Sequence, residues 1–387
     1  MTRLTPRRSV TLSVLIAGLG IPMAIAAPLG LPPVPIPGDN PQTEAKIALG
    51  DRLFHDPRFS VDGTISCSTC HEREKAFTDH RRLSEGHSGL LGTRNAPTVI
   101  NSAYMEQLFW DGREPDLEGQ SKQPPVNPVE GGLADVGVLV EKIRSEPSYV
   151  EEFNKVFGVD AENITADHFA DAIASFERTI IAGDSPFDRY QYGGDESAMS
   201  EAAVRGLEVF RGQGRCVSCH LIEETQALFT DNRFHNIGVG FKAIRGREAE
   251  IAHEFLKAKH AGADVDKTVL VDKEASELGR FAVVEDINKV GAFKTSTLRN
   301  IELTPPYMHD GSLDTLEDVI DFYNNGGREK ETDPLTPFLS GGIRPLDLSD
   351  QQKQDLVAFL EALTSPEIAS QVTSTEIITG STGDQQP

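Results

Sequence analysis

Cys67-Ser68-Thr69-Cys70-His71 and Cys216-Val217-Ser218-Cys219-His220 hold all four cysteines of the chain, in two identical C-x-x-C-H frames. This spacing suits the attachment of one porphyrin per frame. Each sulfur reaches a vinyl group, and the adjacent imidazole turns under the iron as axial ligand. A thioredoxin-like C-x-x-C or a zinc half-site would explain the paired cysteines but not the histidine after them in both copies. Disulfide staples are compatible with an exported chain, yet cysteines three apart are usually redox-active pairs. The motifs therefore predict two covalently bound haem c groups on Cys67, Cys70, Cys216 and Cys219, with His71 and His220 as proximal iron ligands.

Outward from the frames, each is preceded by a short amphipathic stretch, residues 47–54 in the first half and 203–210 in the second, a weak internal repeat. It predicts two related helical domains, each folded around its own haem. The expected fold class is all-α, two haem domains with few or no strands. Helical spacing recurs elsewhere, with Phe169, Ile173 and Phe176 in residues 166–179, and with Leu356, Phe359, Leu360 and Leu363 after Ser349, a good N-cap. Turn-forming residues at 182–186 and 193–195 place a boundary near 197, which gives an N-terminal haem domain 27–197 and a second haem domain 198–365. Within the latter, the charged segment 242–279 reads as a solvated surface insertion. Residues 366–387, rich in Ser, Thr, Gly and Gln, read as a disordered tail.

Residues 1–26 read as a secretory signal peptide. Arg3, Arg7 and Arg8 precede an apolar run from Val10 to Ile25, and Ala24-Ile25-Ala26 supplies an A-x-A cleavage site. Gly18, Gly20 and Pro22 interrupt the run, and it falls short of the roughly 20 residues of a bilayer span. A periplasmic protein with no transmembrane anchor is expected. The formal net charge of −23, more negative still without the leader's arginines, argues against nucleic acid as a partner.

Several further motifs occur in order along the chain: residues 53–58 (LFHDPR), 94–98 (RNAPT), 109–113 (FWDGR), 176–179 (FERT), 298–301 (LRNI) and 306–313 (PYMHDGSL). With the two haem frames, they make the chain resemble the bacterial di-haem cytochrome c peroxidases over nearly its whole mature length, and more closely their MauG-like branch. The resemblance implies an all-α pair of cytochrome c-like domains, with peroxide handled at the first haem, in the peroxidatic domain 27–197, and electrons passing through the second, in the electron-transfer domain 198–365. It places a distal pair on Gln120 and Glu130, Glu130 moving a proton between the peroxide oxygens from a partly desolvated pocket. Trp110, the only tryptophan, matches an electron relay between the haems. A calcium ion is implied at Asn95, Thr304 and Pro306, with only Asn95 using its side chain.

The sixth ligand of the second haem separates the branches. Peroxidases outside the MauG-like branch carry methionine fourteen residues after the histidine that matches His309, whereas this chain, like MauG-like proteins, has Tyr323. Residue chemistry alone leaves Tyr323 equally explicable as core, on a helix face with Leu316, Val319 and Ile320, capped by Asp314 and ended by Gly326-Gly327. His87 departs the other way. Seven residues before Arg94, it matches a distal histidine that MauG lacks, and whether it binds the resting first iron stays open. The functional expectation is a di-haem peroxidase using hydrogen peroxide and a small redox-protein donor. The alternatives are a MauG-like oxidase of a partner protein, weakened by the lack of a second tryptophan, and a non-catalytic dihaem electron carrier, which would need neither Gln120 nor Glu130.

Overall fold

The helix Glu44–Phe54 begins at Thr43, whose hydroxyl accepts from the Lys46 amide, and Glu201–Arg211 begins at Ser200 in the same way. Each crosses a helix from later in its own half, Ala166–Glu177 or Asp350–Glu361, and both of these open with a capping box. The two crossings match residue for residue. A Cβ at Gly50 would run into the Ala172 carbonyl and Phe176, and a Cβ at Gly206 into the Asp355 carbonyl and Phe359. Four positions after each glycine, Phe54 and Phe210 are fully buried. The internal repeat is therefore a repeated close approach of two backbones, which glycine alone permits.

The computed structural model describes residues 27–379, so the expected signal peptide and residues 380–387 lie outside the described part. The chain is mainly helical, and its one sheet among the described residues has two short strands. One core gathers Leu49, Phe54, Ile143, Phe153, Phe169 and Ile173. The other gathers Phe187, Phe210, Phe229, Ile320, Phe359 and Leu363. This second core opens at Phe187, upstream of the boundary expected near 197, because the short helix Pro186–Gln191 packs Phe187 against Phe229 and Phe359. Arg299 and Asp188, both almost fully buried, pair at 2.8 Å. Arg299 also donates to the carbonyls of Gly30 and Ala227, which laces the N-terminal segment onto the second half.

The segment 242–279 is not the solvated excursion its charge implied, but part of a packed unit spanning 241–290. Ile244, Ile251, Phe255, Leu278 and Phe281 form a core of their own around the helix Glu248–His260. The unit docks on the first half, where Thr93 donates to the Val269 carbonyl and Arg94 to Ser276. Its neck is the antiparallel pair of Phe234–His235 and Phe293–Lys294. Order also continues past 365: Pro366–Thr379 is helical, and Ile368, 5% exposed, joins the first core. Ile368, with the partly buried Val372 one turn on, anchors a segment whose overall composition is polar.

Helix propensity alone would make alanine better than glycine by about 1 kcal/mol at either crossing. The close approach reverses the sign. Gly50→Ala and Gly206→Ala are each expected to destabilise the protein by about 1–3 kcal/mol in urea unfolding, and a stabilised variant would contradict the crossing described here.

Candidate functional site

A continuous cavity of about 740 Å³ runs between the two halves, and Cys67, Cys70 and His71 line it together with Cys216, Cys219 and His220. The helix Cys67–Cys70 begins at Ser66 through a capping box with Thr69 and delivers His71 at its C-cap. His71 Nδ1 donates to the Phe77 carbonyl at 3.1 Å, and His220 Nδ1 to the Phe229 carbonyl at 2.8 Å. Phe77 and Phe229 both adopt left-handed backbone, φ 57° and 53°, which aims these carbonyls. Pinning Nδ1 fixes the tautomer and leaves Nε2 available as a metal ligand. Burial pushes the Cys70 and Cys216 thiols up to about 12, and Cys67 in the same direction. Reactive redox thiols have depressed values instead. The cavity, its two C-x-x-C pairs and the two imidazoles pinned at Nδ1 fit two attached haems.

The halves correspond beyond the frames. Trp110 and His309 each follow a left-handed residue, Phe109 or Met308, and each precedes an Asp-Gly pair in a loop closed by one bridge, Leu108 to Glu114 or Tyr307 to Leu313. The Lys294 amide donates to the Trp110 carbonyl and the Asn95 amide to the His309 carbonyl, both at 2.8 Å. The rings of Trp110 and His309 meet edge to face, centroids 6.5 Å apart. Helices Leu117–Ser121 and Leu316–Asn324 then follow. The latter is capped by Thr315, in a capping box with Asp318, rather than by Asp314. Fourteen residues after His309 stands Tyr323, and fourteen after Trp110 stands Pro124; both line the cavity.

Of the residues singled out in the sequence, Gln120, Glu130, Trp110, Asn95, Thr304, Pro306 and Tyr323 all border this cavity. The Glu130 carboxylate accepts from Asn127 Nδ2 at 3.2 Å. Trp110 Nε1 donates to the Asn95 carbonyl at 2.8 Å, and Asn95 Nδ2 to the Arg81 carbonyl. Burial, with Cys216 and Cys219 nearby, lifts the Tyr323 phenol well above its ordinary range. His87 is placed differently. It does not line the cavity; its Nε2 lies 2.9 Å from the Pro128 carbonyl and its Nδ1 3.3 Å from Ser88 Oγ.

Three cavity residues escaped the sequence reading. Glu177, 5% exposed, shares the face of Ala166–Glu177 with Phe169 and Ile173, and that four-residue spacing was legible. Burial pushes its carboxyl up to about 8, with Arg178 opposing and Glu118 adding to the shift. Burial also brings the Lys294 ammonium down to about 8, against the pull of Asp111, while its Nζ donates to the Gln107 carbonyl. Pro124 could have been found by aligning the two halves on Trp110 and His309. The close grouping of Cys219, Asp231 and His235 adds no separate metal centre, since Cys219 belongs to the second frame.

Comparison with known proteins places these features in context. The profile of the family described as "Di-haem cytochrome c peroxidase" matches residues 44–197. Over 376 residues, the chain is 36% identical to cytochrome-c peroxidase IdrP1 of Denitromonas iodatirespirans, covering 93% of this chain and 94% of that protein. It is likewise 36% identical over 330 residues to the methylamine utilization protein MauG of Methylorubrum extorquens, covering 85% of this chain and 81% of that one. Among solved structures, a MauG-like protein associated with microbial copper homeostasis superposes with a TM-score of 0.71 at 34% identity, over 89% of this chain and 97% of that chain.

The buried Glu177 sets a pH dependence. The folded protein keeps this proton up to about pH 8, whereas a solvated carboxyl releases it near 4.5. Between those values the folded state binds more protons, so stability is lost as the pH rises through this window. Glu177→Gln is expected to match the parent near pH 4.5 and to exceed it by roughly 2–5 kcal/mol at pH 8. Urea titrations at the two pH values check this, and parallel curves would mean the carboxyl is solvated.

Proposed function

Because this chain belongs to the di-haem cytochrome c peroxidase family, we infer that it reduces hydrogen peroxide at the haem held by Cys67, Cys70 and His71, with electrons arriving through the haem held by Cys216, Cys219 and His220. Each peroxide consumes two electrons and two protons and leaves as two waters. The observation that carries the reading is the asymmetry of two otherwise matched halves. Tyr323 offers a phenol to the second site, while the corresponding first-half residue, Pro124, has no group with which to ligate. The first site is thereby the one with room for peroxide.

When bound, the haems would supply the one-electron redox chemistry. The chain's own residues do the rest. In our reading Gln120 orients peroxide through its amide, and Glu130 takes the proton from the inner oxygen and returns it to the outer one as the O–O bond breaks. Trp110 carries electrons between the sites. Tyr323 would hold the second iron and favour its ferric state. The orientation of His87, with Nε2 on Pro128, is compatible with a first site open on its distal side.

A calcium ion at Asn95, Thr304 and Pro306 belongs to the same proposal. The Asn95 amide nitrogen is committed to Arg81, which leaves its oxygen as a hard donor. Export to the periplasm through residues 1–26 completes it, and among the described residues no helix is long and apolar enough to cross a membrane. The physiological donor is proposed to be a small redox protein. Oxidation of a partner protein is the less favoured reading, since the relative named as a peroxidase matches more of the chain, 93%, than MauG does, 85%. A plain electron carrier would have no use for the non-ligating Pro124.

Purified di-haem protein is expected to consume one peroxide for every two electrons drawn from a reduced small cytochrome, and donor oxidation independent of peroxide would sink the reading. Glu130→Gln should lower peroxide turnover by roughly 100-fold or more with both haem spectra intact. Tyr323→Met should raise the midpoint potential of the second haem and leave that of the first in place; an unmoved second potential in redox titration would remove Tyr323 from its ligand set.

A further inference from the structure

The insertion 241–290 reaches the contact between Trp110 and His309 from both sides, through two successive residues. Ser276 accepts from Arg94 Nε at its hydroxyl, 3.0 Å, and from Arg94 Nη2 at its carbonyl, 2.9 Å. Arg94 Nη1 in turn lies 2.6 Å from Oδ2 of Asp111, the residue after Trp110. Burial alone would raise the Asp111 carboxyl, but Arg94 and Arg113 bring it down to about 2, so this link is a fixed ion pair at neutral pH. Glu277 Oε2 lies 2.8 Å from His309 Nε2. His309 is 3% exposed, and its ring lies flat on Phe293, centroids 3.6 Å apart at 14°, with its edge toward Trp110.

The two rings are held by different means. Trp110 Nε1 donates to the main chain at Asn95, a partner that moves only with the backbone. His309 depends on a side chain, and that side chain comes from the insertion. An imidazole N–H donated to a carboxylate fixes both tautomer and ring orientation. Gly240, at the start of the insertion, makes room for that carboxylate, since a Cβ there would run into Glu277 Oε2.

We propose that Glu277 is a positioning residue for electron passage between the two haem sites: through His309 it holds the aromatic contact with Trp110, and the insertion acts as the clamp on that bridge. The proposal rests on the peroxidase reading above. Its consequence is that the rate of transfer between the sites depends on a segment remote in sequence from both haem frames.

The test uses the intact di-haem protein, with the second haem reduced photochemically and arrival of the electron at the first haem followed optically. Glu277→Leu is expected to slow this step on the order of tenfold, with both midpoint potentials and peroxide binding unchanged. Glu277→Gln keeps an acceptor for the His309 N–H and should stay within about twofold of the parent. Gly240→Ala leaves Glu277 in place but displaces its carboxylate, and should slow the step as the leucine variant does. It also supplies the test if Glu277→Leu does not fold. Hydrogen exchange at the Asn95 amide, bonded to the His309 carbonyl, should quicken in both slow variants. Parent-like transfer in Glu277→Leu and Gly240→Ala overturns the clamp alone. Absence of transfer between the haems of the parent overturns the peroxidase reading with it.

Discussion

A reciprocal pair of main-chain hydrogen bonds joins the two halves of this protein where they meet. Lys294 donates to the carbonyl of Trp110, and Asn95 to that of His309. In each case the donor lies three residues before a threonine, Thr297 or Thr98, whose hydroxyl closes the turn that presents the carbonyl partner of His220 or His71. The interface is thus built as a self-complementary dimer interface would be, with one contact made twice by two copies of one unit. Main-chain bonds do not depend on side-chain identity. That independence lets the side chains at the seam diverge: tryptophan on one side and histidine on the other, Asn95 facing one way and Lys294 the other.

The fold class was legible because its signals are local. C-x-x-C-H is contiguous, and the helix crossings leave a glycine and a phenylalanine four apart, Gly50 with Phe54 and Gly206 with Phe210. The caps at Thr43, Ser200, Thr165 and Ser349 are equally local. What stayed hidden depends on distant partners. Charge density in 242–279 signalled exposure, yet Ile251, Phe255 and Phe281 are spaced so that they meet only once the helices fold on one another. Ile368 looked like one apolar residue in a polar tail because the core it enters is built from residues before 183. Sequence reports which residues prefer burial; it is silent on whether a surface exists to bury them.

The candidate site divides in the same way. Cavity-lining positions such as Gln120, Glu130 and Tyr323 came from the resemblance to the family, whose spacings along short helices and tight loops survive folding. His87 sits in a loop containing Gly86 and Gly89, where spacing does not fix direction, and its ring turns to the Pro128 carbonyl. Glu177 and Lys294 went unseen for a third reason. A charged residue in sequence reads as solvated, and only the cavity wall shows that both are buried without an opposite charge in direct contact, which is what drives both groups toward their neutral forms.

Duplication explains the shape of the site, and departures from duplication explain its chemistry. If both halves had kept one residue at the position of Pro124 and Tyr323, both metals would be equally open or equally closed, and the protein would be either two peroxide sites without a conduit or a conduit without a site. On the proposed ligation by Tyr323, proline at the first-half position breaks that equivalence, and the backbone follows: Tyr323 lies within the helix Leu316–Asn324, whereas Pro124 stands in a turn just after the helix Leu117–Ser121. The insertion is the second departure. It enters the second half between two strands of two residues each, so it leaves and returns at nearly one point and disturbs the duplicated core little. From that neck it reaches across the seam to Arg94 and His309. A segment attached at one point and docked at another couples the two halves more tightly than their main-chain seam alone, and it does so where Trp110 and His309 meet.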